Sequence, residues 1–152
     1  MVDTRYRVEG IRELRTALRE VDGGVKELRK ANKSVANEAE ARSRSDAHSG
    51  TRQQAAAAKA ILGAGLATEA VLKIRNLAGV PFGIGAFMGA LAWKQFPPWV
   101  GNSWTLGNPG EGPYVIRDVF ARDGDEILDP YLEELADLFT RAGLPPEQLS
   151  RL

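Results

Sequence analysis

Between residues 11 and 28 the apolar side chains Ile11, Leu14, Leu18, Val21, Val25 and Leu28 recur at alternating steps of three and four. That spacing lines them along one stripe of an α-helix and cannot line one face of a strand. Val35 and Ala39 continue the stripe, with Asn32 at the position between. A stripe so narrow is a helix-to-helix seam, so the N-terminal third has to fold as helix against something else. Asp22-Gly23-Gly24 interrupts it. Two glycines cost roughly 2 kcal/mol in a helix interior, and Asp is a good N-cap. The pattern predicts one helix over 10–21 and a longer one over 24–45, although the heptad phase survives the break and leaves a single helix open. Ala31, Ala36, Ala39 and Ala41 alternate with polar residues in the second helix. Such a face buries little and needs a neighbouring sheet or subunit.

The rest of the chain changes character several times. Ser45 to Thr51 reads as a turn or loop, and Gln53 to Lys59 as a short helical turn. Leu62, Ala64 and Leu66 alternate with small residues, and Val71 to Arg75 alternates apolar with basic, so both read as strands. Asn76 to Gly79 is a turn, and Val80 to Leu91 is a bulged strand or a closely packed loop. Lys94 to Pro113 holds four Pro and four Gly with Phe96, Trp99 and Trp104, a loop with hydrophobic anchors. Tyr114 to Phe120 is a final strand or a helix start. Asp129-Pro130 matches an N-cap followed by N1 proline, and Tyr131, Leu132, Leu135, Leu138 and Phe139 follow at helical period up to Gly143. The expected fold is α+β: an N-terminal helical arm, a small antiparallel sheet, an aromatic Pro/Gly-rich loop and a C-terminal helix over about 129–142. The arm takes residues 1–46 and the α+β domain residues 47–152.

Charge is unevenly distributed along this frame. The totals cancel, with 20 Lys+Arg against 20 Asp+Glu. Residues 1–60 carry 13 basic and 9 acidic side chains, residues 61–105 carry 3 and 1, and residues 106–152 carry 4 and 10. A chain polarised this way can pair its own ends or pair head to tail with copies of itself. No apolar leader opens the chain, and Val80 to Trp93 is too short and glycine-rich to span a bilayer, so a cytoplasmic protein is expected.

Chemistry finds few footholds. There is no Cys and one His, which excludes disulfides, thiolate chemistry and a multi-His metal site. His48 lies beside Ser45, Asp46 and Ser49, but adjacency in sequence is not a triad, and a solvated loop His is expected. Asp123, Asp125, Glu126 and Asp129 lack the order of a calcium loop and read as acidic capping at a helix start. Gly83-Ile84-Gly85 with Gly89 misses both phosphate-loop spacings. The basic residues of the first helices interleave with Glu at three- and four-residue steps, which suits a solvated face. They also leave open contact with an acidic partner surface or, less specifically, nucleic acid. No catalytic, cofactor or metal residue is expected, and the chain reads as a non-enzyme.

The order of its motifs resembles the small tail-component or neck protein family of long-tailed bacteriophages. Gly10-Ile11-Arg12-Glu13-Leu14-Arg15-Thr16-Ala17-Leu18 matches the family's opening G-(I/L)-x-E-L-x-x-A-L helix, and a charged second helix follows over Val25 to Ala41. Ser49-Gly50-Thr51 stands where the family has a Thr-Gly element in the other order. Gly85-Ala86-Phe87-Met88-Gly89 stands for G-x-E-F-G-G without its Glu. Gln95 to Gly101 matches Q-F-x-P-W-x-G, and Gly112 to Asp118 stands for G-Y-x-(I/L)-x-P without the final Pro. Glu126-Ile127, Tyr131, Leu135 and Leu138 fit the closing helix. The likeness spans residues 8–143.

The resemblance implies a virion structural protein of the head–tail junction, assembled in the host cytoplasm. It would be a neck or tail-completion subunit that forms a cyclic homo-oligomer and meets head-closure, tail-terminator or tail-tube proteins. DNA would pass through the ring rather than being bound specifically, and no membrane is involved. A tail terminator is the nearest alternative, and a nucleic-acid-binding module using the basic helices is another. The interface residues expected on this reading are Arg12, Arg15, Arg19, Phe96, Trp99, Trp104, Glu133, Glu134 and Asp137.

Overall fold

The computed structural model describes residues 10–50, 52–75, 77–81, 83–88 and 115–148. Its elements are α1 (Ile11–Leu18), α2 (Gly24–Ser49), α3 (Arg52–Ala57) with a 3-10 turn (Ala58–Ala60), β1 (Ile61–Gly65), β2 (Ala70–Ile74), α4 (Gly83–Met88) and α5 (Val115–Arg141). A last 3-10 turn covers Pro146–Gln148. The described residues are mostly helical with a two-stranded antiparallel sheet, an α+β composition. The aromatic loop lies outside the described residues.

The glycine pair does split the N-terminal stripe into two helices. Gly23 takes a left-handed φ of 71°, which ends any helical run. A side chain on Gly24 would come within 2.8 Å of Leu18 Cδ2 and 2.9 Å of its carbonyl oxygen. The corner therefore closes tightly, and Gly23 rather than Asp22 immediately precedes the second helix.

Three expectations change, and one left open is decided. First, α2 runs through Ser49, so the stretch read as a turn from Ser45 is helix up to that residue. Ala47 is fully buried there, so tertiary packing outweighs the turn-favouring Ser, Asp and His around it. Second, the apolar segment after Val80 contains helix, α4, rather than a strand. Ala86 and Phe87 are its buried residues, and a Cβ on the buried Gly83 would meet Arg75 O at 2.6 Å. Third, of the two readings left open for Val115 to Phe120, the structure has the helix start. Fourth, that helix continues without a break past Asp129-Pro130, so the expected helix over 129–142 is only the second half of α5. Proline removes one ladder bond, to the carbonyl four residues back at Glu126. The buried Ile127, Leu128 and Tyr131 on either side of Pro130 hold the helix together. Asp123, Asp125, Glu126 and Asp129 consequently sit inside α5, not at its start.

The far end of α5 follows the sequence reading. Gly143 is left-handed, its N–H donates to Thr140 O, and Leu144 N–H donates to Phe139 O at 2.9 Å. That paired arrangement is a Schellman cap.

Two bonds fix the register of the hairpin. Leu66 N–H donates to Glu69 O at 2.8 Å, and Arg75 N–H donates to Ala60 O at 3.0 Å. Between them Ala64 faces Val71 and Leu62 faces Lys73.

The described residues fall into two compact units. One takes those in Glu40–Leu62 and Lys73–Arg122; the other takes those up to Ala39, those in Gly63–Leu72 and those from Asp123 onward. The second unit has a core of large side chains. Leu14, Leu28, Leu135 and Phe139 are fully buried, with Leu18, Ile127, Tyr131 and Leu138 nearly so. The first unit is filled by small residues, Ala47, Ala57, Ala58, Ala60 and Ala86, around Ile61, Phe87 and Val119.

Candidate functional site

The seam residue that the pattern leaves polar, Asn32, is the centre of the second unit. It is fully buried on α2. Its Nδ2 donates to Leu66 O at 2.7 Å, and its Oδ1 accepts from the Tyr131 hydroxyl at 2.6 Å. One side chain thus ties a helix, the hairpin turn and α5 together. Burial raises the pKa of Tyr131, with a smaller push from the Glu134 charge. The phenol stays a donor because its ionised form would lose both solvent and this bond. Lys33 Nζ donates to Gly63 O at 3.0 Å, and a Cβ on Gly65 would sit 2.3 Å from the Lys33 nitrogen. Here the strand backbone lies directly against the helix backbone, which only glycine permits.

In the first unit, buried Gln54 Nε2 donates to Ala86 O at 3.2 Å, joining α3 to α4. Arg44 Nε donates to Ile61 O at 3.0 Å and Arg44 also pairs with Glu40. Arg122 grips Asp46 through two bonds of 3.0 and 3.1 Å. Both Asp46 oxygens are therefore engaged beside His48, which is exposed on the last turn of α2. Ser49 Oγ donates to Ser45 O within the same turn. That geometry orients no base toward a hydroxyl. Among the described residues no three His, Cys, Asp or Glu side chains converge as a cation site.

The residues expected at an interface separate into three groups. Arg12 on α1 and Arg19 at its C-cap are exposed, as are Glu13 and Glu20, while Ile11, Leu14 and Leu18 are buried. Arg15 is half-buried, and its Nε lacks a hydrogen-bond partner. Glu133, Glu134 and Asp137 are exposed along α5. Among the described residues none of these six forms an ion pair; the second unit's Arg141 instead pairs with Glu27. Phe96, Trp99 and Trp104 lie outside the described residues. Beside α1 an open hollow of about 410 Å³ touches Arg12, Glu13, Thr16 and Ala17, too shallow to enclose a small molecule.

Sequence reasoning missed Gln54 and the hub role of Asn32. The signal for Asn32 was present, since a polar residue at a seam position demands buried partners. Nothing local identified Leu66 O or Tyr131 as those partners. No protein-family model, curated protein or solved structure matches this chain. Among the described residues no helix is long and apolar enough to cross a membrane.

Proposed function

We propose that this chain is a structural subunit of the bacteriophage head–tail junction, a neck or tail-completion protein that assembles as a ring around the tail end in the virion. The order of motifs along residues 8–143 supports the reading. The observation that carries it furthest is exposed charge: Arg12 on α1 and Arg19 at its C-cap, set among Glu13 and Glu20, and the acidic run Glu133, Glu134 and Asp137 on α5. Arg12 and Arg19 of one copy could meet Glu133, Glu134 and Asp137 of the next in a heterologous contact, which forms a ring where the rotation between copies closes. Phe96, Trp99 and Trp104 would add the apolar anchors that hot spots need. Head-closure, tail-terminator or tail-tube proteins would then flank the ring, and DNA would pass through it.

The test is incubation of the chain with purified tail tubes of long-tailed phages, followed by electron microscopy and sedimentation velocity. The expected result is a ring on one tube end, lost on reversing Glu133 and Glu134 together to Lys. A chain that stays an inert monomer with and without tubes overturns the proposal. A tail terminator shares these expectations and differs in its neighbours, which the decorated end identifies.

A further inference from the structure

The two edges of the hairpin are treated differently. In the register set by Leu66–Glu69 and Ala60–Arg75, the residues of β1 whose backbone groups point away from β2 are Ile61, Gly63 and Gly65. Two of those carbonyls accept side chains from α2: Ile61 O takes Arg44 Nε, and Gly63 O takes Lys33 Nζ. At Gly65 the backbone of Lys33 lies directly against the strand, and past the strand end Leu66 O takes Asn32 Nδ2. The β1 edge is thereby closed. On β2 the outward residues are Ala70, Leu72 and Ile74, and among the described residues nothing bonds to their N–H or C=O groups. An uncapped edge is a template for another strand.

The edge is also complementary to itself. Laid antiparallel on a second copy about a two-fold axis at Leu72, it puts Leu72 opposite Leu72 of the second copy and Ala70 opposite Ile74. All three outward residues then exchange backbone hydrogen bonds, roughly six in total. The same register sets Glu69 opposite Arg75 twice over, at non-hydrogen-bonded positions where side chains lie closest. Glu69 and Arg75 are both exposed, and neither forms an ion pair among the described residues. Leu72 and Ile74, half-buried in one chain, would cover each other's remaining apolar surface.

We propose that the β2 edge binds a second copy of this chain, joining two hairpins into one four-stranded antiparallel sheet. The contact is isologous and uses β2 alone. It is therefore separate from the ring contact proposed above, which uses α1 and α5, and each stands or falls without the other.

Sedimentation equilibrium of the full-length chain tests it, together with hydrogen exchange resolved at Ala70, Leu72 and Ile74. The expected result is a dimer at micromolar concentration, with those amides protected in step with dimer population. Glu69→Arg places Arg against Arg75 and should weaken dimerisation about tenfold or more. Adding Arg75→Glu to Glu69→Arg exchanges the charges and should restore it. Both positions are exposed, so folding survives and far-UV circular dichroism serves as the control. A monomer up to hundreds of micromolar overturns the proposal. So does a monomer whose β2 amides are protected regardless of concentration, the result expected if residues 89–114 of the same chain occupy the edge. A dimer indifferent to Glu69→Arg, or not rescued by Arg75→Glu, overturns it as well.

Discussion

The two compact units fill their interiors by different means. In the unit that contains α1, the first part of α2 and the end of α5, the core is built from Leu14, Leu18, Leu28, Leu135, Leu138 and Phe139. Large side chains interdigitate, and the one polar member, Asn32, is satisfied on both its oxygen and its nitrogen. The other unit is filled mainly by alanine, and polar side chains bond to its carbonyls, as Gln54 does to Ala86 and Arg44 to Ile61, a device that Asn32 and Lys33 repeat in the large-residue unit. A large-residue core fails when volume is removed. A small-residue core fails when volume is added.

The comparison can be broken at Leu135. Truncating it to Ala should cost about 2–5 kcal/mol, read as a lower urea midpoint with unchanged slope. In the alanine unit the opposite change is the damaging one. Gly83→Ala should cost about 1–3 kcal/mol, because the new methyl meets Arg75 O at 2.6 Å and Ala60 Cβ at 2.8 Å. If Gly83→Ala is neutral while Leu135→Ala is severe, the alanine-lined unit is looser than its contacts imply.

Tyr131→Phe sharpens the contrast, since it leaves Asn32 Oδ1 buried without a donor. The expected loss is about 1–3 kcal/mol. The same hydroxyl gives a pH signature. Its folded pKa is raised above the ordinary value of 10.0 by burial. The folded state therefore holds the proton more tightly than the unfolded chain. Its contribution is complete below about pH 10 and is lost as pH climbs above that value. Urea midpoints measured from pH 8 to pH 11 should fall more steeply for the native chain than for Tyr131→Phe. A parallel fall would mean that Tyr131 is not the group responsible.

Ser43 offers the reverse sign. Its hydroxyl is fully buried on α2 with no hydrogen-bond partner. Ser43→Ala should therefore raise stability, by about 1 kcal/mol. The smallest effect belongs to Arg122→Ala. The pair with Asp46 is well aligned, but the arginine is 57% exposed, so solvent screening holds the loss to about 0–1 kcal/mol.

Much of this fold was legible in advance where one periodicity dominated. The stripe from Ile11 to Leu28 and the run from Tyr131 to Phe139 each carried a helical period, and Gly23 and Gly143 marked where helices stop, because left-handed φ is costly for any residue with a Cβ. The hairpin was legible from alternation in Val71 to Arg75. Local rules failed where burial outweighed them. Asp129-Pro130 looks like a helix start in any short window, yet Val119, Ile127 and Leu128 bury the turns ahead of it and carry α5 through. The charged faces of α1 and α5 were readable as stripes. The exposure of Arg12, Glu133, Glu134 and Asp137 needed the packed elements around them.

By itself, then, the sequence determined which stretches are amphipathic, where glycine ends a helix, and that acidic and basic side chains gather toward opposite ends of the chain. These are properties of neighbours within a few residues, set by backbone sterics and side-chain spacing. Tertiary structure alone decided that Asn32 meets Tyr131, 99 positions away, and Leu66, 34 away. It also decided that α2 side chains seal one edge of the hairpin and leave the other open. Those pairings depend on which surfaces come together when the chain collapses, and no local pattern encodes the distance between them.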